Sequence, residues 1–343
     1  MKIAIVGGGI CGLYLAFKLG ERENVFLFEK KEKIGNKACS ALVSERIFHF
    51  LPEAKKIIKH KIKGVCIHFP LKKIFIDFKR DFFVFKREDL EDLLLFLAQK
   101  RSKIYFSKEI KTIPSGFQRV IFADGALSFS QKFLLKGFKK IYLGIQGFEE
   151  REDFSQITEV FPTKNGFIWK IPRGKDREWG IVEKKENAFK IFNHFLNEKK
   201  IKIKNKKASF ISQGFLFLKD KQKKYAVVGE ARGLVKPWSF GGIIWGLNCC
   251  EILLKNFPDF LNYEKEIKKT FFFQYLFSEF LKKIVYFAGF HFPYLFFLKK
   301  YEIDGDFFDF SVFSNFFSNG KSRFFSRLAP VFLFKNKEQK KNN

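Results

Sequence analysis

The chain has 343 residues, with Lys+Arg 65 against Asp+Glu 36, a formal charge of +29; 46% of it is hydrophobic, and Phe fills 51 positions. That apolar content excludes intrinsic disorder, and about 150 residues per domain allows roughly two cored domains. The cysteines at 11, 39, 66, 249 and 250 lack paired C-x-x-C spacing, which excludes a disulfide scaffold, a zinc ribbon and a ferredoxin-type cluster motif.

Met1-Lys2-Ile3-Ala4-Ile5-Val6 is too short an apolar run for a signal peptide, and it leads straight into glycine. Residues 2–6 read as a strand, 10–19 as a helix with Leu13, Ala16 and Phe17 on one face, and Val25–Phe28 as a second strand closed by Glu29: a βαβ opening. Val65/Ile67/Phe69 and Ile74/Ile76/Phe78 alternate, as antiparallel strands do, about a turn near Pro70–Lys73. Glu88–Lys100 is an amphipathic helix, and Arg119–Ala123 is a buried strand ending at Asp124-Gly125. Residues 138–218 are strand-like with one helix near Ala188–Lys199. Tyr225–Gly229 is another parallel-type strand, and Gly242–Leu254 an apolar helix. From about 257 onward the chain reads as Phe-rich and helical, and its last nine residues as a frayed polar tail. The stretch Ile284–Leu298 contains His291 and Pro293 and is shorter than the ~20 residues of a spanning helix, so a cytoplasmic protein is expected.

The expected fold is therefore α/β. A Rossmann-like dinucleotide domain (1–63, 87–137 and 219–256) is interrupted by an antiparallel sheet domain (64–86 and 138–218). A helical C-terminal region (257–334) and a frayed end (335–343) follow.

Gly7-x-Gly9-x-x-Gly12 follows a strand and opens a helix. Gly7 permits the tight turn, Gly9 lets backbone approach a pyrophosphate, and Gly12 lets helix pack on strand. The helix N-terminus offers unpaired N–H groups to phosphate. Glu29, at the end of the second strand, suits the adenosine ribose hydroxyls and argues against a 2′-phosphate. These residues leave FAD and NAD both open.

Four further segments resemble the flavin-dependent geranylgeranyl reductase family, within the class with the aromatic-hydroxylase fold, over roughly residues 1–256. Asn36–Ser44 is similar to the family's Cys-Gly-x-Gly segment: Cys39 matches, while Ser40 and Leu42 stand where glycines are usual. The resemblance places this backbone beside the flavin and makes Cys39 a candidate proton donor. Arg87 matches the family's arginine before Leu-x-x-x-Leu and is expected to reach the phosphate or ribityl region. Ala123-Asp124-Gly125 is similar to the Ala-Asp-Gly motif of the fold class. Val228-Gly229-Glu230-Ala231-Arg232-Gly233, then Gly241-Gly242-Ile243, resembles the second FAD motif, with Glu230 in place of the usual Asp. A helix starting at Gly241-Gly242 suits the anion that forms at N1 and O2 of a reduced flavin, which chooses FAD over NAD.

Phe167-Ile168-Trp169-Lys170-Ile171-Pro172-Arg173-Gly174 looks like the family's aromatic-x-Trp-x-Phe-Pro-x-Gly segment, with Ile171 for Phe. By that resemblance Phe167, Trp169, Pro172 and Gly174 line an apolar substrate cavity. The implied reaction is saturation of C=C bonds in geranylgeranyl or polyprenyl chains of membrane lipids or their precursors. An FAD monooxygenase of an aromatic or apolar compound and a non-catalytic flavoprotein are the alternatives. No second nucleotide fingerprint is present, so the reductant is NAD(P)H in transient contact or a ferredoxin-type carrier. The +29 charge suits an acidic ferredoxin or anionic lipid on the inner face of a membrane, and no nucleic-acid module is visible. Phe271–Phe273, Phe277, Phe280 and the run 284–298, collared by Lys282-Lys283 and Lys299-Lys300, read either as an interfacial anchor or as a helical cover. No metal site is expected.

Overall fold

A computed structural model describes residues 1–35, 37–219, 223–296 and 301–307. Asn36, Leu298, the Lys299-Lys300 collar and everything after Phe307, the frayed tail included, lie outside the described residues.

In chain order the elements are β1 (Lys2–Val6), α1 (Ile10–Leu19), β2 (Asn24–Phe28), β3 (Leu42–Ser44), α2 (Ile47–Phe50), β4 (His60–Phe69), β5 (Lys72–Val84), α3 (Arg87–Gln99), β6 (Lys103–Tyr105), β7 (Arg119–Phe122), β8 (Leu135–Glu149), β9 (Ile157–Pro162), β10 (Phe167–Pro172), β11 (Arg177–Glu183), α4 (Lys185–Glu198), β12 (Lys204–Leu218), β13 (Tyr225–Val227), α5 (Ile243–Asn256), α6 (Phe260–His291) and β14 (Tyr301–Ile303).

Five strands form a parallel sheet in the order β13-β7-β1-β2-β6. Its central strands carry near-continuous apolar runs because both faces are covered. On one face α1, α3, α5 and the first half of α6 pack through Leu13, Leu90, Leu94, Trp245 and Ile267. On the other, Leu134, Leu135, Leu216 and Leu218 from the roots of β8 and β12 meet Val6, Val120 and Phe122.

Nine strands form the second sheet, in the order β12-β8-β11-β10-β9-β4-β5-β14 with β3 on β5. Most pairs are antiparallel, as the alternating segments suggest, but β4–β9 and β5–β14 run parallel, so the sheet is mixed. Alternation sets its faces. Ile168 and Lys170 of β10 face α4 and its neighbours, with Ile168 packed beside Phe192 and Leu196. Phe167 and Trp169 face the opposite way.

Three features depart from the expected layout. β3, within the stretch 1–63 read as dinucleotide-binding, joins the mixed sheet, as does the start of β4. Two strand pairings in a sheet expected to be antiparallel are parallel. The C-terminal region is not helical throughout: after α6, Tyr301–Ile303 pairs with Ile76–Phe78. Three residues are too few to display a strand period, and here the free edge of β5 decides.

Candidate functional site

The first glycine loop forms as its spacing predicts. Gly7 sits at φ +105, and a Cβ there would lie 2.5 Å from Ala123 O. A Cβ on Gly12 would lie 1.9 Å from Gly7 O, so the first turn of α1 rests directly on the loop. Gly9 differs: a Cβ there meets nothing within 4 Å. The glycine read as making room for a ligand is thus the one facing open space. It caps α1 with no side-chain hydrogen bond and no acid in the first turn, which suits an anion at the positive end of the helix. Glu29 is fixed beside it, accepting from Gly8 N–H at 2.6 Å and Lys31 N–H at 3.0 Å. A carboxylate oxygen has lone pairs beyond these, so ribose hydroxyls have acceptors there. These features fit a dinucleotide.

The Cys39 segment runs between β2 and β3 and is pinned from several sides. Gly35 N–H donates to Glu91 at 2.8 Å, Ala38 N–H to Ser209 Oγ at 2.9 Å, and Lys37 pairs with Glu230. Arg87, at the start of α3, donates through Nε to Glu91 at 2.7 Å and reaches the Cys39 thiol at 3.6 Å. Burial opposes the Arg87 charge, but the Glu91 carboxylate outweighs it and holds the guanidinium protonated. The described Arg87 contacts are thus with Glu91 of its own helix and with Cys39 of the loop. Ser40 and Leu42 keep ordinary backbone; Ala41 between them takes φ +47, the left-handed region. Its carbonyl accepts from Phe85 N–H at 3.1 Å, which holds the loop along β5.

The Ser40 carbonyl leads to a buried network that the sequence reading did not single out. Arg173 donates to it at 3.3 Å, to Phe85 O at 2.7 Å and to Glu178 at 2.8 Å. Glu178 also accepts from Trp169 Nε1 at 3.0 Å and is fully buried. Burial pushes the Glu178 carboxyl pKa up, and Arg173 opposes it. The available signal was an acid inside an apolar strand, Glu178 before Trp179-Gly180-Ile181-Val182.

Asp124 is turned inward: its carboxylate accepts from Ser130 N–H at 3.0 Å and Ser130 hydroxyl at 2.5 Å, and burial raises its pKa. It caps the turn at Ser130. Glu230 is also engaged, by Lys37 and by Ser212 N–H at 3.4 Å. Gly241 packs on Lys236, and a Cβ there would lie 2.9 Å from Lys236 Cε. Lys236 is buried and bound to Asp306 at 3.0 Å and Gly305 O at 2.9 Å. Gly242 caps α5 with no side-chain partner and no acid in the first turn, and Ile243 opens the helix.

Phe240, at φ +56, immediately precedes these glycines and joins the two motifs. Its ring lies 4.7 Å from Tyr142 and 6.0 Å from Phe167, and Phe167 lies 6.1 Å from Trp169. The Trp169 ring covers Gly180, where any Cβ would be 2.2 Å from it. Phe167 and Trp169 thus stand on the sheet face opposite the start of α5. Pro172 and Gly174 end β10, Gly174 at φ +85 and bridged to Asp153. Lys282 of α6 sits 4.7 Å over the Phe240 ring, and burial lowers its pKa to about 8.

A model of an NAD(P)-binding Rossmann-like domain matches residues 5–50. Among curated proteins none matches the chain. A geranylgeranyl bacteriochlorophyll reductase-like protein from Thermoplasma acidophilum shares the fold at TM-score 0.76 and 17% identity, covering 96% of this chain and 98% of that one. The FAD-dependent halogenase CndH, a myxobacterial enzyme, has TM-score 0.64 at 14% identity over 84% of this chain and 82% of its own. A flavoprotein/dehydrogenase from Cytophaga hutchinsonii has 0.63 at 12%, over 84% and 88%. The fold is shared with these structures, and with the geranylgeranyl bacteriochlorophyll reductase-like one over nearly the whole of both chains.

Proposed function

We propose that the chain is an FAD-dependent reductase that saturates C=C bonds of geranylgeranyl or other polyprenyl chains. The supporting observation is the likeness, from end to end of both chains, to a geranylgeranyl reductase-like structure, where the halogenase CndH covers 84% of this chain. Gly9 and the first turn of α1 would hold the pyrophosphate, Glu29 the adenosine ribose, and Gly241, Gly242 and Ile243 the pyrimidine edge of the flavin. When bound and reduced by NAD(P)H or a ferredoxin-type carrier, FAD supplies a hydride.

An isolated alkene offers no charge to grip, so positioning and exclusion of water carry the protein's share. Phe167, Trp169, Tyr142 and Phe240 supply an apolar surface for a prenyl chain beside the start of α5. Arg173, Glu178 and Arg87 hold the Cys39 loop in register with that surface. The Cys39 thiol, within reach of the Arg87 guanidinium, is the proposed proton holder.

The test is anaerobic: photoreduce the FAD-loaded protein, add a geranylgeranyl lipid, and follow flavin reoxidation and product mass. Reoxidation with mass gained in hydrogen pairs is the expected result. The halogenase likenesses support a second reading, an oxygen-consuming flavin enzyme. Oxygen uptake with an aromatic compound and no anaerobic turnover with any prenyl lipid would decide for it.

A further inference from the structure

α6 spans 32 residues, about 48 Å at 1.5 Å per residue. One stripe of it faces outward throughout, at positions 262, 265, 269, 273, 276, 280, 283 and 287, spaced three or four apart. In the first half that stripe is Asn262, Lys265 and Lys269, while Phe260, Tyr263, Ile267 and Phe271 are buried behind it. This is the ordinary polarity of a surface helix.

From residue 273 the outward stripe turns apolar. Its positions become Phe273 at 67% exposure, Leu276 at 48%, Phe280 at 56% and Phe287 at 60%, interrupted by Lys283. The buried positions behind it, Tyr275, Ser278, Leu281 and Gly289, mix apolar and polar groups, and the Tyr275 hydroxyl, Ser278 Oγ and Glu279 Oε2 are buried without a hydrogen-bond partner among the described residues. β8 extends the outer surface. Lys140 pairs with Glu279 at 2.6 Å, its ammonium lies 5.4 Å from the Phe138 ring, and Phe138 is itself exposed. Lys136, Lys139 and Lys283 are exposed, Lys283 on the same outward stripe as the rings. Glu279, the acid on this stretch of α6, is turned in and paired.

We infer that the second half of α6, with Phe138, is a docking face for an anionic lipid surface. A row of exposed rings along one helix side is suited to an apolar surrounding, and Lys283 on the same stripe, with the +29 charge of the chain, favours negative headgroups. Among the described residues no helix is long and apolar enough to cross a membrane, so the face lies on the surface rather than through it. A second copy of this chain would bring the same lysines against each other.

The full-length protein is sedimented with mixed phosphatidylcholine–phosphatidylglycerol vesicles and with pure phosphatidylcholine vesicles. The expected result is binding to the mixed vesicles, weakened at least about tenfold by Phe273→Ser/Phe280→Ser/Phe287→Ser, whose sites are exposed. A second variant, Lys136→Glu/Lys139→Glu/Lys283→Glu, keeps the rings and should lose the preference for phosphatidylglycerol. It carries the test if the first variant misfolds. Three outcomes overturn the inference: equal sedimentation of wild type and both variants, concentration-dependent dimers abolished by the Phe variant with no vesicle binding, or vesicle binding that appears only after removal of 308–343. Failure here leaves the anaerobic reductase assay untouched, because that assay reads flavin reoxidation with soluble lipid.

Discussion

The two glycine-bearing loops resemble each other in sequence and differ in what fills them. In the first, Gly7 and Gly12 are hemmed in by backbone, while Gly9 faces empty space at the bare N-terminus of α1. In the second, the charged groups already have protein partners: Glu230 holds Lys37, and Gly241 lies on Lys236, itself clamped by Asp306. The first loop is built mostly from residues close in sequence, with Ala123 as its distant neighbour. The other end is assembled from four distant stretches, near residues 37, 173, 236 and 306, and it depends on their packing.

Damage at the first loop should therefore be local and steric, and damage at the second should spread. The largest effect is expected from Gly12→Val, which places carbon on the Gly7 carbonyl and should destabilise the protein by roughly 3–5 kcal/mol with complete loss of FAD. Urea unfolding and the flavin-to-protein ratio measure both.

Arg173→Met breaks the other region at its buried ion pair. Leaving Glu178 alone in the interior should cost about 3–5 kcal/mol, and Arg173→Met/Glu178→Leu should recover much of it. If the single and double variants unfold at the same urea concentration, the pair does not organise this end.

Gly9→Ala sharpens the contrast. With φ near −79 and free space, alanine should fold normally, yet FAD affinity should fall at least about tenfold, or 1.4 kcal/mol, since the methyl occupies the ligand's place. Fluorescence titration with FAD reads this directly, and unchanged affinity would remove the pyrophosphate assignment.

The smallest effect concerns Lys282 above Phe240. Its folded pKa, about 8, lies below the ordinary 10.5, so between those values the unfolded chain binds more protons. Stability should consequently rise with pH across that window and level off above it. Lys282→Met should flatten the rise in thermal unfolding measured from pH 8 to 10.5.

The first loop was legible because each of its requirements is carried by neighbours in sequence: a β-branched run, glycines at fixed offsets, and an acid ending the next strand. Phe167 and Trp169 were read from the family segment they resemble, which did not reveal their meeting with Phe240. Arg87 was recognised as a motif residue, but its contacts with Glu91 and Cys39 depend on α3 packing beside the β2–β3 loop. Asp124 fitted its motif and turned toward Ser130, a choice of rotamer that no spacing reveals. β14 stayed hidden because three residues on a sheet edge have no periodicity to read.

Sequence by itself determined the βαβ opening, the longer strands and the position of the dinucleotide fingerprint, since these follow from side-chain period and backbone freedom within short windows. Only the tertiary structure decided the buried Arg173–Glu178 and Lys236–Asp306 pairs, the mixed directions of the second sheet and the outward-facing rings of α6. A buried charge or an outward-facing ring is defined by what surrounds it, and those surroundings come from residues far away along the chain.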